Sequence, residues 1–342
     1  MPAITPSFLF DFESNVQAIV EDEYARLSKH MWWSKFMKVR QSSRRQEIVA
    51  WLLSTAKIED LGQSGGGMPF EDLVSKYQTF ENRFVGAGLK LKKSQLEDLD
   101  GNGLELGTKW ASDIGAYMGY WPQKQLVSLI KNGHTTTGYD GASFFSASHP
   151  LNPFNTGLGN YANLFTGGTA APIDVSVSAD AALANLNNVV ASIKGIKMPN
   201  GVDPRFLRPT CLIVPPKLQA RAVQLTNAKF LAQAATAGGG GGDVEAVIQS
   251  FGWDQPIVAD ELAGFESDTT YFLACEELGA SQLGAFVYVD RDPFKITYYT
   301  GTGGGTGVDA DLDRKDELEW HCKGRNVSGY GHPYLFFKVK AA

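Results

Sequence analysis

The stretch Leu61-Gly-Gln-Ser-Gly-Gly-Gly-Met-Pro-Phe70 joins two segments of extended character, residues 46–61 and 79–93. In the second segment, apolar and charged side chains alternate over residues 89–92, which is typical of a half-exposed strand. Arms of about fifteen residues would reach about 50 Å at about 3.3 Å per residue. A compact chain of this length has a radius of gyration of only about 20 Å. The sequence therefore predicts a hairpin that projects from its own domain.

A projecting hairpin needs a surface that another molecule supplies, because an isolated two-stranded ribbon is at best marginally stable in water. We expect that surface to belong to another copy of the same chain. The pattern therefore indicates an assembly protein rather than an enzyme.

The composition limits the possible classes of protein. The chain has 342 residues, of which 43% are hydrophobic and 20% charged, and its net charge is −6. An acidic chain has no general attraction for nucleic acid, no apolar run approaches the 18 residues of a membrane span, and the first residues lack the features of a secretory signal. The three cysteines are distant from one another and odd in number, which argues against a disulfide framework and favours a reducing cytoplasm.

In the first 133 residues, apolar spacing predicts three helices. The first would begin near Ser14, which forms a possible capping box with Gln17. The second would cover residues 104–120, and Pro122 would open a third helix that ends at Gly133. Between the first two, Trp32 and Trp33 need a covering surface, either from a neighbouring subunit or from the core of the same chain.

The remainder predicts a mixed fold. Residues 133–170 are rich in Gly, Asn and Ser without a clear period. A helix is expected over residues 178–196, a buried strand over 211–214 and a helix from Pro215-Pro216. Further strands are expected over residues 270–274, 284–289, 295–299, 318–323 and 333–340. This order lacks the regular alternation of a doubly wound domain, so the predicted class is α+β.

Candidate sites for chemistry are weak. Residues 98–103 resemble the start of a calcium loop, but the twelfth position is Lys109 instead of a carboxylate. Residues 304–309 match a single calcium-binding nonapeptide, a motif that binds metal only in tandem repeats. The glycine clusters at 65–67 and 238–242 lack the context of a phosphate loop. His321 and Cys322 are adjacent on a predicted strand, so they point to opposite faces and cannot share a metal. The other loop histidines, His134, His149 and His332, have no evident partner in the sequence. We expect no catalytic residues, metal or cofactor.

Several segments together resemble one family. The residues Asn132-Gly133, Tyr139-Asp-Gly-Ala-Ser-Phe-Phe145 and His149-Pro150 are similar to the block that follows the long helix in Mu-like phage major head subunits. The sequence Arg325-Asn-Val-Ser-Gly-Tyr-Gly331 resembles the closing strand of those proteins. The similarity covers nearly the whole chain, although His332-Pro333 stands where relatives often carry an aromatic residue.

The resemblance implies a capsid protein with a Hong Kong 97-like fold. Its expected parts are an N-terminal arm at residues 1–43, an extended loop at 44–95, a peripheral domain with a long spine helix at 96–200, an axial domain at about 201–300, and returning strands of the peripheral domain at 301–342.

The implied function is mechanical. Copies would form the hexamers and pentamers of an icosahedral virion shell that encloses double-stranded DNA through weak, non-specific contact, assembled in the bacterial cytoplasm with portal, scaffold and possibly decoration proteins. The candidate inter-subunit contacts are Phe8, Phe10, Trp32, Trp33, Leu61, Met68, Phe70 and Phe84. The alternatives are an encapsulin-like nanocompartment with the same fold and a metal-dependent hydrolase that uses Asp309, Asp311 and Asp313.

Overall fold

A helix of 31 residues, Asn102–Asn132, is the longest element of the chain. The computed structural model describes residues 6–53, 74–92, 102–166, 172–227, 230–232, 243–245, 253–277, 284–299 and 317–340. The α-helices are α1 (Pro6–Ser28), α2 (Asn102–Asn132), α3 (Ala179–Lys194) and α4 (Gln219–Asn227). The strands are β1 (Met37–Gln41), β2 (Gln46–Leu53), β3 (Val74–Glu81), β4 (Arg83–Lys92), β5 (His149–Pro150), β6 (Asn160–Tyr161), β7 (Leu164–Thr166), β8 (Leu207–Val214), β9 (Phe230–Ala232), β10 (Asp243–Glu245), β11 (Ile257–Val258), β12 (Thr270–Glu277), β13 (Phe286–Tyr299), β14 (Glu317–Tyr330) and β15 (Phe336–Lys340).

The chain divides into two units. Unit 1 comprises residues 1–47, 80–126 and 288–329, and unit 2 comprises residues 48–79, 127–287 and 330–342.

Unit 1 packs helices against a four-stranded sheet of order β1-β13-β14-β4. Its core joins α1, α2 and the sheet through the buried residues Val16, Val20, Leu91, Ala111, Met118, Trp320 and Cys322. The two helices approach closely because α2 presents glycines at Gly115 and Gly119. A Cβ atom on Gly115 would lie 2.6 Å from the carbonyl oxygen of Val20, and one on Gly119 would lie 3.2 Å from that of Tyr24.

The start of α1 differs from the prediction. The helix begins at Pro6, so Ser14 and Gln17 lie inside it and the predicted capping box is wrong. The Gln17 side chain instead donates from Nε2 to Oε1 of Glu21 at 2.8 Å. Proline is well suited to the first turn of a helix, where its missing N–H group has no partner to lose.

The prediction of a helix boundary at Pro122 is also wrong, because α2 continues through this residue. Proline inside a helix costs about 3 kcal/mol. The buried residues Met118 and Leu126 lie on either side of it, and burial of the apolar stripe along the whole helix outweighs this local cost.

Two strand predictions need correction. The predicted second arm of the hairpin, residues 79–93, is divided, since β3 pairs with β2 while β4 pairs with β14 in an antiparallel register from Arg83–Asn326 to Lys92–Glu317. The two strands predicted at 284–289 and 295–299 form the single strand β13, which runs through Pro293. The tip at residues 61–70 lies outside the described residues.

Unit 2 contains a five-stranded sheet of order β11-β8-β12-β15-β7. Strand β8 confirms the predicted buried strand, with residues 211–214 all buried. Helix α3 confirms the predicted 178–196 helix: Ser178 caps it by accepting from the backbone N–H of Ala181, and Leu183, Leu186, Val190 and Ile193 form its buried stripe. The short helix at Pro216–Leu218 and α4 follow Pro215 as expected.

The core of unit 2 is filled by a cluster of aromatic rings: Phe144, Phe145, Phe272, Phe286, Tyr330 and Phe336.

Candidate assembly surface

The root of the β2–β3 hairpin is braced by polar contacts in unit 1. Arg45 and Glu81 form an ion pair with Nη2 2.9 Å from Oε1. Asn82 is buried; its backbone N–H donates to the carbonyl oxygen of Arg45 at 3.0 Å, and its side-chain amide donates to the carbonyl oxygen of Arg44 at 2.9 Å. These contacts join the residue before β2 to the turn between β3 and β4.

The hairpin exposes apolar side chains. Ile48 is 59% exposed and Tyr77 is 68% exposed, whereas Val49 and Phe80 are buried. Burial of an exposed apolar side chain stabilises an interface by about 1.5 kcal/mol or more. Ile48 and Tyr77 therefore each offer apolar surface suited to contact with another chain.

The second candidate surface is the outer face of the β4–β14 pair. This outer face consists of Phe84, Gly86, Gly88, Lys90, Glu319, His321, Lys323 and Arg325, which alternate with the buried Leu91, Trp320 and Cys322. Glu319 accepts from Lys90 Nζ and from His321 Nε2, both at 2.9 Å. These hydrogen bonds, first that of Lys90 and then that of His321, hold the pKa of the Glu319 carboxyl below its ordinary value.

The rest of the outer face is open and basic. Phe84 is 77% exposed, and the guanidinium carbon of Arg325 lies 4.4 Å from the centroid of its ring. Gly86 and Gly88 have no side chains to cover the backbone at this point. A larger residue is excluded at Gly86, because a Cβ atom there would lie 2.5 Å from the carbonyl oxygen of Cys322. Among the described strands, β4 is at the edge of its sheet, and an exposed edge can pair with a strand of another chain.

The predicted contact residues are distributed over several elements. Phe8 and Phe10 belong to α1. Trp32 and Trp33 are partly buried, and the ring centroid of Trp33 lies 5.7 Å from that of Tyr288. Phe84 belongs to the outer face. Leu61, Met68 and Phe70 lie outside the described residues.

Two loop histidines without an evident partner in the sequence have close partners in unit 2. His149 is buried, with Nδ1 2.5 Å from Asp140 Oδ2 and Nε2 3.0 Å from Asn163 Oδ1. His134 Nε2 lies 2.5 Å from Nζ of the buried Lys338, which also donates to Glu266 at 2.7 Å. Burial, followed by the charge of Lys338, lowers the pKa of His134. These groups are structural, since they fasten loops to β15 and its neighbours.

His332 is the third of these histidines and is held by aromatic rings. Its ring stacks on Tyr334 with a centroid distance of 4.8 Å and meets Tyr139 edge-on at 6.0 Å. Burial lowers the pKa of His332 to about 3, and the charge of Arg205 acts in the same direction.

We expect His332 to make the chain sensitive to acid. Between pH 6.5 and 3, the unfolded chain binds a proton at this residue and the folded chain does not, so the free energy of unfolding falls by about 1.4 kcal/mol per pH unit as the pH decreases. His332→Phe keeps a ring on Tyr334 and removes this proton. The free energy of unfolding is measured in urea at pH 6.5 and at pH 4.5. Between these two pH values it should fall by about 2 kcal/mol less in the variant than in the parent. The exposed His30 supplies the control His30→Phe, which should behave as the parent; parallel losses in His332→Phe and the parent would refute the assignment.

The remaining candidates for chemistry find no support among the described residues. Cys211, Cys275 and Cys322 are buried and form no disulfide bond, and burial raises the pKa of Cys322 to about 11. His321 and Cys322 face opposite sides of β14, as predicted. In the described ranges, no group of three or more His, Cys, Asp or Glu residues is placed to hold a metal. No described helix has the length and apolar character to cross a membrane. The loop with Asp309, Asp311 and Asp313 lies outside the described residues.

Two family models match the chain. The phage capsid protein model matches residues 123–338, and that of the Mu-like prophage major head subunit gpT matches residues 14–176. The major capsid protein of Escherichia phage Mu is 22% identical over 162 residues, which are 47% of this chain and 49% of that protein. The match therefore spans about half the length of the curated relative.

Solved capsids share the fold. The procapsid of bacteriophage JBD30 aligns with a TM-score of 0.52 at 15% identity, over 98% of this chain and 76% of that chain. The mature capsid of bacteriophage PhiM1 aligns with a TM-score of 0.52 at 10% identity, over 91% of this chain and 87% of that chain. The capsid of cyanophage P-SCSP1u aligns with a TM-score of 0.52 at 14% identity, over 91% of this chain and 88% of that chain.

These likenesses confirm the predicted Hong Kong 97-like α+β fold. The family matches favour a capsid protein over the nanocompartment and hydrolase alternatives. Because the phage capsid model covers more than half of the residues, the chain belongs to the phage capsid protein family.

Proposed function

We propose that the chain is a major head subunit whose copies assemble into hexamers and pentamers and close into an icosahedral shell around double-stranded DNA. The family match and the shared fold support this function. The observation that carries the proposed mechanism is the β2–β3 hairpin, with a braced root and with Ile48 and Tyr77 exposed.

In this mechanism, the hairpin of one copy lies over the outer face of its neighbour. The exposed Phe84 and the edge strand β4 offer an apolar contact and a strand edge to the incoming hairpin. Obligate interfaces bury on the order of 2,000–5,000 Å², and closure of a ring multiplies modest contacts through effective concentration. We assign residues 44–95 to the extended loop, 1–43 to the N-terminal arm, 96–200 and 301–342 to the peripheral domain and 201–300 to the axial domain.

The partners follow from the same function. We expect portal and scaffold proteins as partners, decoration proteins as a further candidate partner, and assembly in the bacterial cytoplasm. The net charge of −6 suits a container that holds its DNA weakly, because tight binding of a polyanion depends on many Lys and Arg contacts. Negative-stain electron microscopy of the protein expressed alone should show closed shells or rings; a strictly monomeric preparation at all concentrations and salt conditions would contradict the proposal.

A double substitution in the hairpin tests its role. Ile48→Ser with Tyr77→Ser removes exposed apolar surface, so the unfolding of the isolated subunit should change by less than about 1 kcal/mol. The concentration needed for assembly should rise at least ten-fold, because two buried apolar contacts would be lost from every interface. Sedimentation velocity measures assembly and urea unfolding measures the subunit. Val175→Ser, at a site that is 86% exposed, is the control and should assemble as the parent does. Normal assembly of the double variant would exclude the hairpin contact.

A further inference from the structure

Unit 1 contains a cavity of about 330 Å³ that the proposed hairpin contact does not use. This volume is at the lower end of the range for ligand pockets, about 300–1,000 Å³. Its lining combines aromatic rings with carboxylates, and we refer to it as the cage. The cage residues used below are Glu21, Tyr24, Trp33, Tyr288, Asp290 and Phe294.

The rings of the cage come from three segments of the chain. Tyr24 belongs to α1, Trp33 opens the short helix after it, and Tyr288 and Phe294 belong to β13. Trp33 and Tyr288 lie at a centroid distance of 5.7 Å with an angle of 49° between the rings. Rings that converge in this way attract a cation, because the face of each ring is negative.

Asp290 lines the same cavity. It lies on β13 with an even spacing from Tyr288 and Phe294, and it is partly buried. Its Oδ1 atom is fully buried and has no hydrogen-bond partner in the described part of the chain. Burial raises the pKa of this carboxyl above its ordinary value, and the charge of Asp292 raises it further. A buried acceptor of this kind is costly unless a donor or cation satisfies it.

Helix α2 adds a further acceptor beside the cage. Pro122 and Met118 both line the cavity. Proline has no N–H group, so it cannot donate to the carbonyl oxygen four residues earlier, which is that of Met118. Three kinds of group therefore favour a positively charged hydrogen-bond donor at this site: aromatic faces, carboxylates and a carbonyl without its helical partner.

We propose that the cage binds the ammonium group of a lysine side chain from a second copy of the chain. This inference rests on the proposed assembly function. A lysine supplies three donors for Asp290, Glu21 and the Met118 carbonyl, and its apolar stem would pack against the exposed sides of the rings.

The outer side of the same sheet offers suitable lysines. Lys323 belongs to the outer face, and Lys295 alternates with Phe294 and Ile296, which pack on the core. Both lysines are exposed. An acidic cage on one side of a sheet and lysines on the other are complementary patches, the arrangement that a head-to-tail contact between copies requires.

Direct binding tests the chemistry of the cage without assembly. The unassembled chain is labelled with 5-fluorotryptophan, and the Trp33 signal in the fluorine spectrum is identified by its loss in Trp33→Phe. Nα-acetyl-lysine methylamide should shift this signal in a saturable way, whereas the uncharged Nα-acetyl-norleucine methylamide should not. Asp290→Asn should weaken the lysine response at least ten-fold, and Asp22→Asn, a nearby exposed carboxylate outside the cage, should leave it unchanged. An equal response to both probes, or none to either, would overturn the proposal.

Cross-linking tests the source of the lysine. Assembled particles made from a mixture of ¹⁴N- and ¹⁵N-labelled chains are treated with a carbodiimide, which joins a carboxylate to an adjacent amine. The Lys90–Glu319 pair, at 2.9 Å, is the positive control within one copy. Mixed-isotope peptides that join Asp290 to a lysine, with Lys295 and Lys323 as the expected partners, would support a second copy. Links to Asp290 from the same copy, or its absence from all links while the control pair reacts, would refute that source. If no particles form, the proposed assembly function is refuted. The binding test with the lysine derivative still shows whether the cage binds an ammonium group.

Discussion

Replacing Asn163 with alanine is expected to lower the free energy of unfolding by about 4 kcal/mol, because a buried donor or acceptor without a partner costs about 1–3 kcal/mol. Asn163 is fully buried. Its amide group donates to the carbonyl oxygens of Phe144 at 2.6 Å, Pro333 at 3.1 Å and Phe336 at 3.3 Å. Its oxygen accepts from the backbone N–H of Ser146 at 2.9 Å and lies 3.0 Å from His149 Nε2. One side chain thus joins the 144–149 loop to the start of β15.

The control for this substitution is Asn160→Ala. Asn160 is exposed and donates to the hydroxyl of Ser148 at 2.9 Å, so its loss should cost less than about 1 kcal/mol. Urea unfolding of the unassembled chain, followed by circular dichroism, measures both variants. Equal stability of the two variants would show that the hydrogen bonds of Asn163 contribute no more than those of an exposed side chain.

The elements predicted well from the sequence are those whose signals are local. The apolar period of α3 lies within the sixteen residues of the helix. Strand β8 appears as a short apolar run beside a proline pair. Both elements are buried on a face that their own side chains define, so no distant residue is needed to recognise them.

Elements that depend on distant partners were predicted less well. Strand β4 pairs with β14, which is more than 200 residues away, and nothing local distinguishes this pairing from a continuation of the hairpin. Helix α2 crosses Pro122 because tertiary burial outweighs local propensity. Asn163 lies in a segment rich in Gly, Asn and Ser, where an asparagine ordinarily indicates an exposed turn.

The predicted inter-subunit contacts stay predictions. The apolar stretch around Trp32 and Trp33 indicated side chains that need a covering surface, and the structure places the Trp33 ring against Tyr288 of the same chain. No pattern in the sequence marked Asp290 and Tyr288 as residues of a site, because the cage forms only where α1, α2 and β13 pack together. Exposure of Phe84 follows from its register with Arg325, which the sequence alone does not specify.

The structure shows what several residues of the closing motif, residues 325–331, contact. Asn326 accepts from Trp121 Nε1 at 3.0 Å and from Gln125 Nε2 at 2.9 Å. Gly329 leaves room for the ring of Phe80, since a Cβ atom there would lie 1.9 Å from Cε1. The hydroxyl of Tyr330 donates to the carbonyl oxygen of Leu129 at 2.9 Å. Asn326, Gly329 and Tyr330 of this motif therefore each have a steric or hydrogen-bonding reason.

Gly331 closes that motif, and we expect Gly331→Ala to destabilise the chain by about 3 kcal/mol, the upper end of the usual cost of overpacking. An added Cβ atom would lie 2.1 Å from the carbonyl oxygen of Gly284 and 2.9 Å from that of Ala285. The obstacle is backbone, so no side-chain rotation relieves it. Relief would have to break the hydrogen bonds from the N–H of Gly331 to Ala285 at 2.7 Å and from the N–H of His332 to Gly284 at 3.1 Å.

Gly195→Ala is the matched control for Gly331→Ala. Gly195 has a φ of −77°, which alanine adopts freely, and an added Cβ atom would have its nearest neighbours at 3.4 and 3.5 Å, ordinary contact distances. That variant should be neutral or more stable by about 0.5 kcal/mol, because alanine restricts the unfolded chain. Urea unfolding of both variants, with hydrogen exchange of the amides of Gly331 and His332, separates a local opening from a global loss. If Gly331→Ala unfolds at the same urea concentration as Gly195→Ala with both amides protected, the close approach of residues 284 and 331 would not limit stability.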